Sequence, residues 1–104
     1  MNDLFTLLQE LTVLSGVSGD EESIRDYILS HIDGNAEVET DTLGNLLAFK
    51  KGKSRPKNKL MFSAHMDEVG LIITAVTDSG LLKFETVGGI EPGVLLGKTV
   101  KIVK

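Results

Sequence analysis

The chain has 104 residues, 41% hydrophobic and 25% charged, with a formal net charge of -4; it has the length of one ordinary domain and enough apolar content for a core, and it lacks the composition of a disordered segment. No apolar run reaches membrane-spanning length and the N-terminus lacks the basic start and apolar centre of a secretory signal, so a cytoplasmic protein with no membrane partner is expected. Cysteine is absent, which excludes a disulfide framework, thiolate-metal sites and a cysteine nucleophile, and leaves His, Asp and Glu to hold any metal.

The charge is unevenly spread. Residues 1–49 carry ten acids against Arg25 alone, whereas residues 50–104 carry ten bases against five acids. The basic excess comes mainly from Lys50, Lys51, Lys53, Arg55, Lys57 and Lys59. No aromatic side chain interleaves them, as a nucleic-acid groove would require, so the run reads as a solvated loop and no nucleic-acid partner is expected.

Leu4, Leu7, Leu8, Leu11 and Leu14 recur at helical spacing and Ser15-Gly16 follows as a stop, which predicts an amphipathic helix over residues 2–14. Ser18, with Glu21 three positions on, has the spacing of a capping box. It precedes a second helix through Ile24, Tyr27, Ile28 and Ile32 that ends at Asp33-Gly34. Asp20, Glu21 and Glu22 suit the first turn of that helix, where acids favour the positive end of the dipole, and this explains the cluster without chemistry. His31 falls in the last turn at helical spacing from Tyr27 and Ile28; it reads as the edge of a packed face, not a metal ligand.

Residues 36–40 and 46–50 are strand-like and are joined by Asp41-Thr42-Leu43-Gly44-Asn45, whose last two residues tolerate positive φ, so a hairpin is expected. The basic loop with Pro56 leads to Leu60-Met61-Phe62-Ser63-Ala64, a continuous apolar run that predicts a strand buried on both faces. His65 and Asp67 follow at its exit, where open α/β sheets keep their chemistry. Two positions apart in an extended chain, they share one side. A carboxylate beside an imidazole fixes the ring tautomer, so that the opposite nitrogen is presented to a metal. Spacing alone favours the bland alternative of a satisfied polar pair with no metal, and it leaves open Asp67 as a ligand in its own right. Glu68 points to the other side of a continuing strand and reads as a hydrogen-bond partner between elements.

Beyond Gly70 the texture changes. Residues 71–76 form a second apolar strand, Asp78-Ser79-Gly80 a turn, and residues 81–86 a half-buried antiparallel strand. Gly88-Gly89, Pro92-Gly93 and Gly97 punctuate a connection without a helical window, and residues 99–103 alternate again as a strand.

Four stretches, Ser15-Gly16-Val17-Ser18-Gly19-Asp20-Glu21, Asp41-Thr42-Leu43-Gly44-Asn45-Leu46, Ala64-His65-Met66-Asp67-Glu68-Val69-Gly70 and Val87-Gly88-Gly89, occur in the order of a known family's motifs. They resemble the glutamyl and deblocking aminopeptidases, co-catalytic two-metal peptidases of which some members carry endoglucanase or cellulase labels. The resemblance covers essentially the whole chain. It implies an α/β fold in which residues 1–70 are the N-terminal part of a zinc-peptidase-like catalytic domain and residues 71–104 open an inserted β-barrel, the lid or dimerisation domain. It implies a metal-dependent aminopeptidase that releases N-terminal residues of peptides with two divalent ions, zinc or cobalt, and that forms homo-oligomers. His65 is then a metal ligand, and Asp67 belongs to the catalytic set as the residue that orients it.

Family members are longer, and the resemblance puts most remaining ligands and a catalytic glutamate, from a later Glu-Glu pair, in segments beyond Lys104. Glu68 therefore does not inherit that role. The chain is expected to be an N-terminal portion, inactive by itself. Two other readings remain: an endoglucanase-like glycoside hydrolase, disfavoured because such enzymes set two carboxylates about the scissile bond, and a catalytically silent folding or assembly unit whose open strand edges are covered by copies of itself.

Overall fold

Leucines three and four positions apart fold, in the computed structural model, as α1 (Leu4–Val13), which is entered at Asp3 and closed at Leu14. The structure describes residues 3–32, 34–55 and 57–103. Asn2, Asp33, Pro56 and Lys104, expected at a helix start, a helix end, a loop and the chain's last position, lie outside the described residues.

α2 (Glu22–Ile32) follows a short turn, and its first backbone bond runs from the Arg25 N–H to Glu21 O at 2.9 Å. The expected capping box does not form. Ser18 stands three residues too early for a cap on Glu22, Gly19 turns the chain with φ 93, and the Glu21 carboxylate takes the Gly19 N–H at 2.8 Å. Ile24 is the one buried apolar side chain of the described residues, at 8% exposure. It packs on Gly16, where a Cβ would stand 2.6 Å from its Cγ1. Leu7, Leu11 and Leu14 form a half-buried stripe, while Leu4, Phe5 and Leu8 remain exposed.

β1 (Glu37–Thr40) and β2 (Leu46–Phe49) form the expected hairpin, with Val38 opposite Ala48. Asp41 organises its turn: one carboxylate oxygen accepts the N–H groups of Leu43 and Asn45, both at 2.9 Å, and the other accepts the Asn45 amide at 2.8 Å. Gly44 alone supplies the positive φ, at 86. β3 (Gly70–Val76) and β4 (Leu82–Val87) make a second antiparallel hairpin, irregular between Ile73 and Ala75. Thr77 closes its turn by receiving the Leu81 N–H on Oγ1 at 2.9 Å.

The buried strand expected over residues 60–64 does not form: Leu60, Met61 and Phe62 are 81%, 85% and 88% exposed. A strand takes its hydrogen bonds from neighbours, and the two hairpins pair only within themselves, so no described strand pairs with this run. The strand expected over residues 99–103 likewise does not form, for the same reason. The connection before it, expected to be non-helical, contains a 3-10 turn, Pro92–Leu95, which the fixed φ of Pro92 favours at its start.

The molecular surface measures 9489 Å², against about 5,700 Å² for a compact protein of this mass. The Cα radius of gyration is 18.3 Å, against about 13 Å for a compact domain of this length. The helices and hairpins thus present their apolar faces uncovered. Among the described residues no helix is long and apolar enough to cross a membrane.

Candidate metal site

The candidate pair sits where residues 65–70 dock on the loop between the helices. Val17 and Glu68 form a parallel bridge: the Glu68 N–H donates to Gly16 O at 2.7 Å and the Ser18 N–H to Glu68 O at 3.3 Å. The Glu68 carboxylate adds a long bond from the Gly16 N–H at 3.4 Å. Glu68 is therefore the inter-element partner expected from the sequence. The approach is close because Gly70 has no side chain; a Cβ there would lie 2.5 Å from Val17 Cγ2.

This docking sets His65 and Asp67 on the same side of the chain. His65 Nδ1 lies 2.9 Å from the Asp67 carbonyl oxygen and 3.1 Å from Asp67 Oδ1. Both neighbours are acceptors, so Nδ1 carries the proton and Nε2 keeps its lone pair. The His65 side chain is 86% exposed and that of Asp67 39%, so Nε2 is reachable from solvent. The second carboxylate oxygen of Asp67, Oδ2, accepts the Ser18 hydroxyl. That bond, and next the one from His65, hold the Asp67 carboxyl below the usual carboxylate range against the opposing effect of desolvation.

An imidazole nitrogen with a free lone pair suits a zinc or cobalt ion, so His65 fits the role of one ligand. It is a single donor. Among the described residues no three His, Asp or Glu side chains gather closely enough to hold an ion. Asp67, its two oxygens engaged by His65 and Ser18, fits an orienting role better than a ligand role. A depression of about 490 Å³ opens elsewhere, between Val13, Asp20, Asp26 and Lys101, and neither His65 nor Asp67 lines it.

The remaining candidates stay apart from the pair. His31 bonds through Nδ1 to the Tyr27 carbonyl at 2.9 Å and stacks on the Tyr27 ring at a centroid distance of 4.3 Å, within α2. Ser18 was invisible as part of the site because 49 positions separate it from Asp67 and its spacing to Glu21 offered a helix cap instead. The only sequence signal was its place in a glycine-flanked stretch that carried the family resemblance.

Residues 44–104 match the family model described as M42 glutamyl aminopeptidase. Over 100 residues the chain is 46% identical to an aminopeptidase homologue of Acetivibrio thermocellus, covering 95% of this chain and 29% of that protein. The fold is similar to that of a Thermotoga maritima crystal structure described as an endoglucanase, with a TM-score of 0.80 and 47% identity over 88% of this chain and 29% of the other. It is also similar to a Pyrococcus horikoshii TET1 peptidase that can assemble into a tetrahedron or a large octahedral shell. There the TM-score is 0.73, with 41% identity over 86% of this chain and 26% of the other. The chain thus spans 29% or less of the length of these relatives.

Proposed function

We propose that this chain, which belongs to the M42 glutamyl aminopeptidase family, contributes one side of a metal centre to a metal-dependent aminopeptidase acting on the N-terminal residues of peptides. The observation that carries the reading is the His65-Asp67 contact, which leaves a solvent-facing Nε2 beside an oriented carboxylate. His65 holds one of two divalent ions, zinc or cobalt. Asp67 accepts the Nδ1 proton, fixes the ring and raises the basicity of Nε2. The metal, when bound, supplies a polarised carbonyl and a water of lowered pKa. In this reading the remaining ligands and the general base lie outside these 104 residues, which cover 29% of the Acetivibrio relative.

In this reading residues 1–70 belong to the catalytic domain and residues 71–104 open an inserted β-barrel. The β3-β4 hairpin supports the second half of that division. Homo-oligomeric assembly is part of the same proposal, supported by the shells that the Pyrococcus peptidase can form, and a cytoplasmic location is proposed with it.

Glucan hydrolysis is the lesser reading. It rests on the description of the Thermotoga structure, whereas a glycosidase needs two carboxylates flanking the bond and the site here is centred on a histidine. Incubation of the intact protein with an unblocked peptide, an N-acetylated copy and a soluble glucan separates these readings. Free N-terminal amino acid from the unblocked peptide alone is expected. Reducing sugar without amino acid release would overturn the assignment.

A further inference from the structure

We propose that Ser18 is a positioning residue of the metal centre, acting through Asp67 to fix the tautomer and ring plane of His65. The inference rests on the reading of His65 as a ligand and goes beyond it, because Ser18 comes from a different part of the chain. Its hydroxyl is not spent on α2. The helix starts at Glu22, the Glu21 carboxylate already takes the Gly19 N–H, and the Ser18 hydroxyl donates instead to Asp67 Oδ2.

The donor is held in place from both sides. The Ser18 backbone N–H is bonded to Glu68 O at 3.3 Å, and its neighbour Val17 packs on Gly70 so closely that a Cβ there would lie 2.5 Å from Val17 Cγ2. The positive φ of Gly19, 93, turns the chain away immediately afterwards. Each carboxylate oxygen of Asp67 consequently has a donor, His65 Nδ1 at 3.1 Å on Oδ1 and Ser18 on Oδ2, while the Asp67 carbonyl takes the same Nδ1 proton at 2.9 Å. Two donors define the carboxylate plane, and that plane adds the side-chain contact that sets the ring together with the carbonyl. Without the hydroxyl, Asp67 is free to turn about its terminal torsion, and its hold on the imidazole loosens. Ser18 thus keeps Asp67 an orienting group.

The test uses the intact protein with Ser18→Thr, Ser18→Val, Ser18→Ala and His65→Ala, read by nitrogen NMR of the histidine tautomers in the metal-free state and by zinc titration. Threonine and valine are near-isosteric, so their difference reports the hydroxyl even where alanine disturbs folding. Wild type and Ser18→Thr are expected to hold His65 with the proton on Nδ1. Ser18→Val and Ser18→Ala should show mixed tautomers and bind zinc about tenfold more weakly. An unchanged tautomer and zinc affinity in Ser18→Val, with zinc lost in His65→Ala, would overturn the role of Ser18 and leave the metal reading standing. Zinc fully retained in His65→Ala would overturn the metal reading and this inference with it.

Discussion

The Tyr27 hydroxyl donates to Glu10 Oε2 across 2.5 Å and so ties α2 to α1. Loss of the phenolic proton would break that bond and set two anions against each other. The hydrogen bond, then desolvation, then repulsion from Glu10 push the Tyr27 pKa up from the usual 10.0 to about 12. A pKa raised on folding means that this contact stabilises fully below the unfolded value near 10 and is lost as pH rises toward 12.

Tyr27 is the one tyrosine of these 104 residues, and the difference in tyrosinate absorbance between wild type and Tyr27→Phe reads its titration. The midpoint is expected near 12 in wild type. In Glu10→Gln it should fall back toward 10, since the charge and the strong acceptor are both removed. A wild-type midpoint at the unperturbed value would show that the helices do not meet here.

The docking of residues 65–70 on the helix-linking loop depends on a missing side chain. Gly70→Ala puts a methyl group 2.5 Å from Val17 Cγ2, too close for either to stay in place. The expected cost is about 1–3 kcal/mol, the usual range for forcing a methyl group into a filled space. Gly89, which has no atom within 4 Å of its would-be Cβ and no positive φ, provides the control. Thermal denaturation of the intact protein should show Gly70→Ala well below wild type and Gly89→Ala close to it; equal shifts would contradict the packing described.

Asp41 is the keystone of the β1-β2 turn, and its carboxyl is held below the usual carboxylate range, first by the Asn45 side-chain amide and then by backbone N–H groups. A depressed folded pKa contributes stability that is present above the unfolded value, about 3.9. That contribution is lost as pH falls through the folded value. Carbon NMR of the Asp41 carboxyl should therefore give a midpoint below the ordinary range, moved upward in Asn45→Ala. No movement would mean that the amide does not engage the carboxylate.

The elements legible in the sequence were those whose causes are local. The leucine repeat of α1, the Asp41-to-Asn45 turn and the Thr77-to-Leu81 turn each close through contacts within four residues, so spacing and turn chemistry suffice to locate them. Residues 60–64 show the limit. Their apolar run requires flanking strands to become a strand, and no described strand pairs with it, so the segment stays unpaired and exposed despite its hydrophobicity. The His65-Asp67 contact was legible because the pair is two positions apart, whereas Ser18 reaches the same carboxylate from 49 positions away. A hydroxyl with two local alternatives, capping and long-range donation, carries no mark in sequence of which one it takes.

The proposed function requires His65, oriented by Asp67, to bind a metal ion. Elemental analysis of the intact protein after equilibration with zinc and removal of excess tests it most directly, comparing wild type with His65→Ala. The variant is expected to retain about one ion fewer per chain, since an imidazole ligand is lost from a small shell, and to lose N-terminal residue release. Undiminished zinc and undiminished release in His65→Ala would contradict it.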